Sequence, residues 1–129
     1  MRSKLCVLLI AGVLSCVAPG VSAHHSFAST YRENEVMAIE GDLVEIIRRH
    51  PHSYLHVKAP DGGRHMRVWA VECGSVSQIR LQRLIEQTLK PGDHVVVTGS
   101  PGRDAGAWRL RLRTIVRPRD GWRWSDADR

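Results

Sequence analysis

Residues 36–47 read VMAIEGDLVEII, and their spacing decides the fold. Ile39, Gly41 and Leu43 recur at every second position, as on a strand with one face turned inward, and Ile46 then falls out of phase. A slip inside an alternating run marks a bulge, an extra residue that bends the strand and sharpens its twist. Gly41 suits the same bend. A first strand bent in this way serves the closure of a small barrel.

Outward from that stretch the chain alternates strands and turns. His50-Pro51-His52 interrupts, and Ser53 to Lys58 resumes as a second strand. Asp61-Gly62-Gly63 reads as a turn and His65 to Glu72 as a third strand. In a simple register Leu55 and Val57 face Val68 and Met66 on the core side. Tyr54 and His56 then share the outer face with Trp69 and Arg67, aromatics that either stack on a ligand or pack against the termini. Ser75 and Gln78 form a capping box, and Leu81, Leu84, Ile85 and Leu89 form one apolar stripe, so a helix is expected over 75–89. Lys90-Pro91-Gly92-Asp93 ends it. Two strands follow, at 94–99 and 108–116, joined by the loop PGRDAGA.

Three strands, a helix and two strands are the order of a mainly β, five-stranded OB-like barrel with one helix between strands 3 and 4. An open β-sandwich is the alternative. The barrel is expected over 36–117, after an N-terminal arm at 24–35 and before a polar C-terminal tail at 118–129 that carries Trp122 and Trp124.

The segment 1–23 does not belong to that fold. Arg2 and Lys4 precede an uncharged apolar run, Pro19-Gly20 breaks it, and Val21-Ser22-Ala23 has small residues where a signal peptidase needs them. The run is too short for a span of about 20 residues, so the expected product is exported, periplasmic or secreted, and without a transmembrane segment. A second processing site competes: Val13-Leu14-Ser15-Cys16 fits the lipobox of a lipoprotein acylated on Cys16. Cleavage after Ala23 leaves 106 of the 129 residues, enough for one small domain. It also leaves 17 basic residues against 13 acidic ones, seven histidines and a single cysteine, Cys73. One cysteine closes no internal disulfide, so packing must hold the domain.

Three clusters offer chemistry. Cleavage after Ala23 makes His24 the N-terminus, where its amine and imidazole chelate a metal together and His25 adds a second imidazole. Nitrogen donors in a tetragonal set suit Cu(II). His50 and His52 are the candidates for further ligands, with His56 behind them, because alternate residues of an extended segment point the same way. The alternatives are an arm whose histidines bind nothing and a corner in which His50 and His52 cap the turn at Pro51. No paired Cys/His spacing points to structural zinc. The second cluster is Arg109, Arg111 and Arg113, which alternate with Leu110 and Leu112 and put three guanidinium groups on one strand face. In an exported protein that face suits an acidic partner protein or envelope component better than nucleic acid, or it is a solvated edge kept from aggregating by charge. The third is the outer aromatic face of the hairpin. Catalysis has little support: Ser26 has no evident triad, the carboxylates are scattered, and only Glu72, at the end of the third strand, stands out.

HHSF at 24–27, the corner HPHSYLHV, the strand end WAVECGS and LKPGDHVVVTG together resemble a family of small secreted bacterial proteins of unknown function, over about His24 to Val116. Members typically carry Asn where this chain has His50 and Pro where it has Val76. The resemblance implies a mature start at the histidine pair and a barrel-like β fold, and it supplies no activity. The expected function is non-enzymatic binding, with Cu(II) at His24, His25, His50 and His52 as the sharper form and docking through the arginine strand as the alternative.

Overall fold

A computed structural model describes residues 27–49, 52–73 and 87–126. The expected leader, Cys16, His24, His25, His50 and most of the expected helix lie outside them. Of that helix, residues 87 and 88 are described and helical, and Leu89 is buried in the core.

Six strands follow one helical turn, α1 (Phe27–Thr30): β1 (Met37–Ile47), β2 (Ser53–Pro60), β3 (Met66–Cys73), β4 (His94–Pro101), β5 (Arg109–Arg117) and β6 (Trp122–Ser125). Neighbours run β3-β2-β1-β4-β5-β6, and Ala70–Glu72 of β3 also pairs in parallel with Arg109–Arg111 of β5. That pairing joins the ends of the first five strands, so the molecule is a closed OB-like barrel and not an open sandwich.

The bend in β1 lies where the phase slips. Leu43 pairs with Val57 and Glu45 with His56, which leaves Val44 as the extra residue. Gly41 has a steric reason besides the bend. A Cβ there would overlap the Lys58 carbonyl oxygen and come within 2.9 Å of the Ala59 Cβ. Inside, Leu43, Leu55, Val57, Val71, Val95, Val97, Leu110 and Ile115 are fully buried, each contributing about 1.5–3 kcal/mol relative to exposure. Cys73 is buried with them, and burial followed by the charge of Glu72 pushes its thiol up to about 12.

Three expectations need correction. The β2–β3 hairpin turns over residues 61–65, not over a tight Asp-Gly-Gly, because the Asp61 carboxylate accepts from Gly63 N at 2.9 Å and Asp61 N donates to His65 O at 3.0 Å. The register therefore pairs Leu55 with Val71 and Val57 with Trp69, an odd shift that exchanges the faces of β3. Trp69 points into the core, while Met66 and Val68 are each 52% exposed. Second, residues 118–129 are more than a polar tail. Trp122–Ser125 is a sixth strand on the edge of β5, and both tryptophans pack on the core. Third, the arm at 24–35 reaches the core, because Tyr31 is wholly buried.

A charge cluster centred on the buried Asp93 and Arg117 ties the end of β5 to the turn before β4. Arg117 Nη1 donates to Asp93 Oδ2 at 3.0 Å and to Thr88 O at 2.6 Å, and Nη2 donates to Asp120 at 2.8 Å. Arg119 stands 3.1 Å from the other Asp93 oxygen. Burial alone would raise the Asp93 carboxyl, but the Lys90 backbone N–H and the two guanidinium groups outweigh it and hold the acid below its ordinary value.

Two substitutions test this account by thermal melting. Gly41→Ala should destabilise by about 1–3 kcal/mol or more, since the β2 backbone blocks the new methyl. Asp93→Asn should lower the midpoint by several degrees, at about 4–8 °C per kcal/mol for a domain of this size. An acid whose folded value is depressed contributes stability above its ordinary pKa, about 3.9, and loses it as pH falls through the folded value. The wild type should therefore weaken more steeply than Asp93→Asn over that acid range.

Candidate functional site

The site is built where the front of the chain folds over the barrel. After α1, Tyr31 bridges Gly102, and Arg32 N donates to Pro101 O at 2.9 Å. Arg103 holds the turn from the other side, with its N–H on Thr30 O at 2.9 Å and its Nε on Ala28 O at 2.8 Å. These bonds seat Tyr31 at the barrel end, where its hydroxyl donates to Glu72 Oε2.

Glu72 is the centre of the cluster. It is 5% exposed and lies opposite Tyr54 on β2 and beside Arg111 on β5. His52 Nδ1 lies 2.6 Å from its Oε1, and Arg109 Nη2 lies 3.7 Å from Oε2. The Arg109 guanidinium also stands 5.7 Å over the Tyr31 ring. Burial first, then the bond to Glu72, drives the Tyr31 hydroxyl far above its ordinary pKa, so it remains a proton donor. Burial first, then the charge of Glu72, raises Tyr54 as well.

The aromatic side of the cluster is Phe27. Its ring stacks on His52 with centroids 5.2 Å apart and planes at 28°, and it leans on Tyr31 at 6.3 Å. The Arg111 guanidinium covers the Phe27 ring at 3.8 Å and pairs with the Glu33 carboxylate. Arg113 donates to the Glu33 carbonyl and, through Nε at 3.1 Å, to Ser100 Oγ. Arg109, Arg111 and Arg113 thus share one face, as their alternation indicates, and that face engages Glu72 and the chain's own N-terminal segment. All three are half-buried.

Of the expected metal ligands, His52 is described, and His24, His25 and His50 lie outside the described residues. His56 is occupied elsewhere, 3.4 Å from Glu45 of β1. Among the described residues no three His, Cys, Asp or Glu side chains are grouped to hold a metal ion. Phe27 and Tyr31 carry no signal in the sequence beyond being aromatics in a polar stretch. Glu72 had one, as the acid at the end of the third strand.

The arginine clasp makes a direct prediction. Arg111→Ala removes a cation–π contact and an ion pair, together about 1–2 kcal/mol. Amide exchange at Tyr31 and Arg32 should quicken by about tenfold, while amides of the β1–β4 ladder keep their protection.

No curated protein and no solved structure matches the chain. A family profile does, over residues 11–111, and by that match the chain belongs to DUF6152, a family of unknown function.

Proposed function

We propose that this is an exported, non-enzymatic binding protein that takes Cu(II) at the histidine-bearing pole of the barrel. The observation that carries the reading is the stack of Phe27 on His52 at 5.2 Å. Covalent geometry limits how far the remaining histidines can stray from it. His25 is two residues from Phe27 in the chain and His50 two from His52, so the contact between Phe27 and His52 supports a common site for the two histidine pairs.

In this reading the free amine and imidazole of His24, the imidazole of His25 and a nitrogen of His52 make up the donor set, with His50 in reserve. Such a set of amine and imidazole nitrogens favours Cu(II) over the other divalent ions. The arginine strand supports it by holding α1 and Glu33 in place, which fixes where the N-terminus leaves the barrel. The leader-like segment 1–23 supplies the export and, by its removal, the amine. The buried Cys73, its thiol pushed up to about 12, is not a thiolate ligand at neutral pH.

The test is export with the chain's own leader, intact mass, and titration with Cu(II) followed by EPR. The expected result is a mature start at His24 and a one-to-one tetragonal nitrogen spectrum, bound at least tenfold more tightly than by an HHSF peptide. His24→Ala with His25→Ala should abolish that site, and one extra residue before His24 should weaken it strongly. A lipidated Cys16 terminus, or affinity no better than the peptide's, overturns the reading.

A further inference from the structure

We infer that the pocket between the start of β3, the β4–β5 loop and the chain entering β1 binds a neutral saccharide, with Trp108 as its platform. The inference does not rest on the copper reading.

Barrel closure takes in only part of β3. Ala70–Glu72 pairs with β5, whereas Met66–Trp69 has none of the described strands on that side. Next to that stretch lies a pocket of about 520 Å³, inside the range of about 300–1,000 Å³ usual for small-molecule sites. Trp108 lines it with φ 45° and ψ 57°, and it is the one residue other than glycine at positive φ among the described residues. A bulky side chain there is an outlier, and such strain collects at ligand sites. The residue is held on both backbone and ring. Its carbonyl accepts from Ala70 N at 2.9 Å, and Trp69 meets its ring edge to face, with centroids 5.3 Å apart and planes at 77°. The Arg67 guanidinium stands 5.3 Å from the ring centroid. A half-buried indole fixed in this way offers apolar area at little further entropic cost.

The charged groups of the lining select the class of ligand. Arg32 pairs with Glu35 at 3.4 Å and donates to Arg103 O at 3.3 Å. Asp61 pairs with Arg67 at 3.4 Å and accepts from Gly63 N, and Asp104 accepts from Gly106 N. Arg109 stands 3.7 Å from Glu72. Each sign is thus met within the protein, and an ionic ligand would find like charges as close as opposite ones. An alkyl chain would strip water from these groups and return no hydrogen bond. A neutral sugar suits both features. Its hydroxyls donate and accept, so carboxylates with several lone pairs and guanidinium groups with five N–H bonds serve it equally. Its C–H face meets the indole, Val36 and Met37.

The experiment is proton–nitrogen NMR of the four indole N–H groups of the exported protein, titrated with cellobiose and with N,N′-diacetylchitobiose. The expected result is a saturable shift at Trp108 and Trp69 with at least one of the two sugars, and none at Trp122 and Trp124. Val36, 62% exposed, lines the pocket, so Val36→Arg should obstruct it and weaken binding by about tenfold or more without unfolding the barrel. Trp108→Ala should weaken it to a similar extent. Val44→Arg, at an exposed position on the bend of β1 outside the pocket, should bind as the wild type does. Absence of a shift with both disaccharides overturns the inference, as do shifts confined to Trp122 and Trp124. Wild-type binding by Val36→Arg overturns it even if Trp108→Ala does not fold. Glucose 6-phosphate or tetramethylammonium shifting the Trp108 signal where the neutral sugars do not overturns it as well.

Discussion

The parallel contact of Ala70–Glu72 with Arg109–Arg111 closes the barrel, and without it the five strands would form an open sheet with two free edges. It also sets the chemistry of the pole. Registering Glu72 against Arg111, with Arg109 close by on the same strand, places a buried carboxylate 3.7 Å from the Arg109 guanidinium, and a cation so near offsets part of the cost of burying an acid. Closure and the polar cluster are consequences of the same few hydrogen bonds.

Around that closure the charged groups divide into two sets. Arg117, Arg119, Asp93 and Asp120 tie the end of β5 to the chain entering β4 and to Thr88, and their role is architectural. Arg109, Arg111 and Arg113 face the opposite way and gather the N-terminal segment. The basic surplus of the sequence is thus partly internal. Arginine suits both duties because its planar fork reaches carboxylates and carbonyls at once and its face stacks on aromatic rings.

The fold was legible where hydrophobic phase determined it. Ile39, Gly41, Leu43 and then Ile46 announced the bulge at Val44, and the succession of strands announced the barrel. A second slip of the same kind is readable in β5. Leu110 and Leu112 are followed by Ile115, one position out of phase, and the structure accordingly leaves Arg113 as the extra residue opposite the Thr98–Gly99 step. Trp122 and Trp124 alternate after Asp120-Gly121, the pattern of a short strand after a turn. The hairpin register was not legible, because Asp-Gly-Gly imitates a tight turn and only the side chain of Asp61 shows that the loop runs on to His65. The site was legible in part. The arginine alternation gave the face but not what covers it, since Phe27, Tyr31 and Glu33 come from the opposite end of the described chain. His52 was visible as a candidate ligand, and its contact with Glu72 depends on a register that no local pattern encodes.

The wholly buried Tyr31 has a bearing on the order in which the molecule assembles. Its ring is seated by Gly102 and Glu72, and its neighbour Glu33 by Arg111 and Arg113, so none of those contacts exists until β3, β4 and β5 are in place. Contacts of such long sequence separation carry a high loop-closure cost and form late. Residues that leave the ribosome early are therefore among the last to settle, and the polar end of the barrel is completed only after its C-terminal strands have come down.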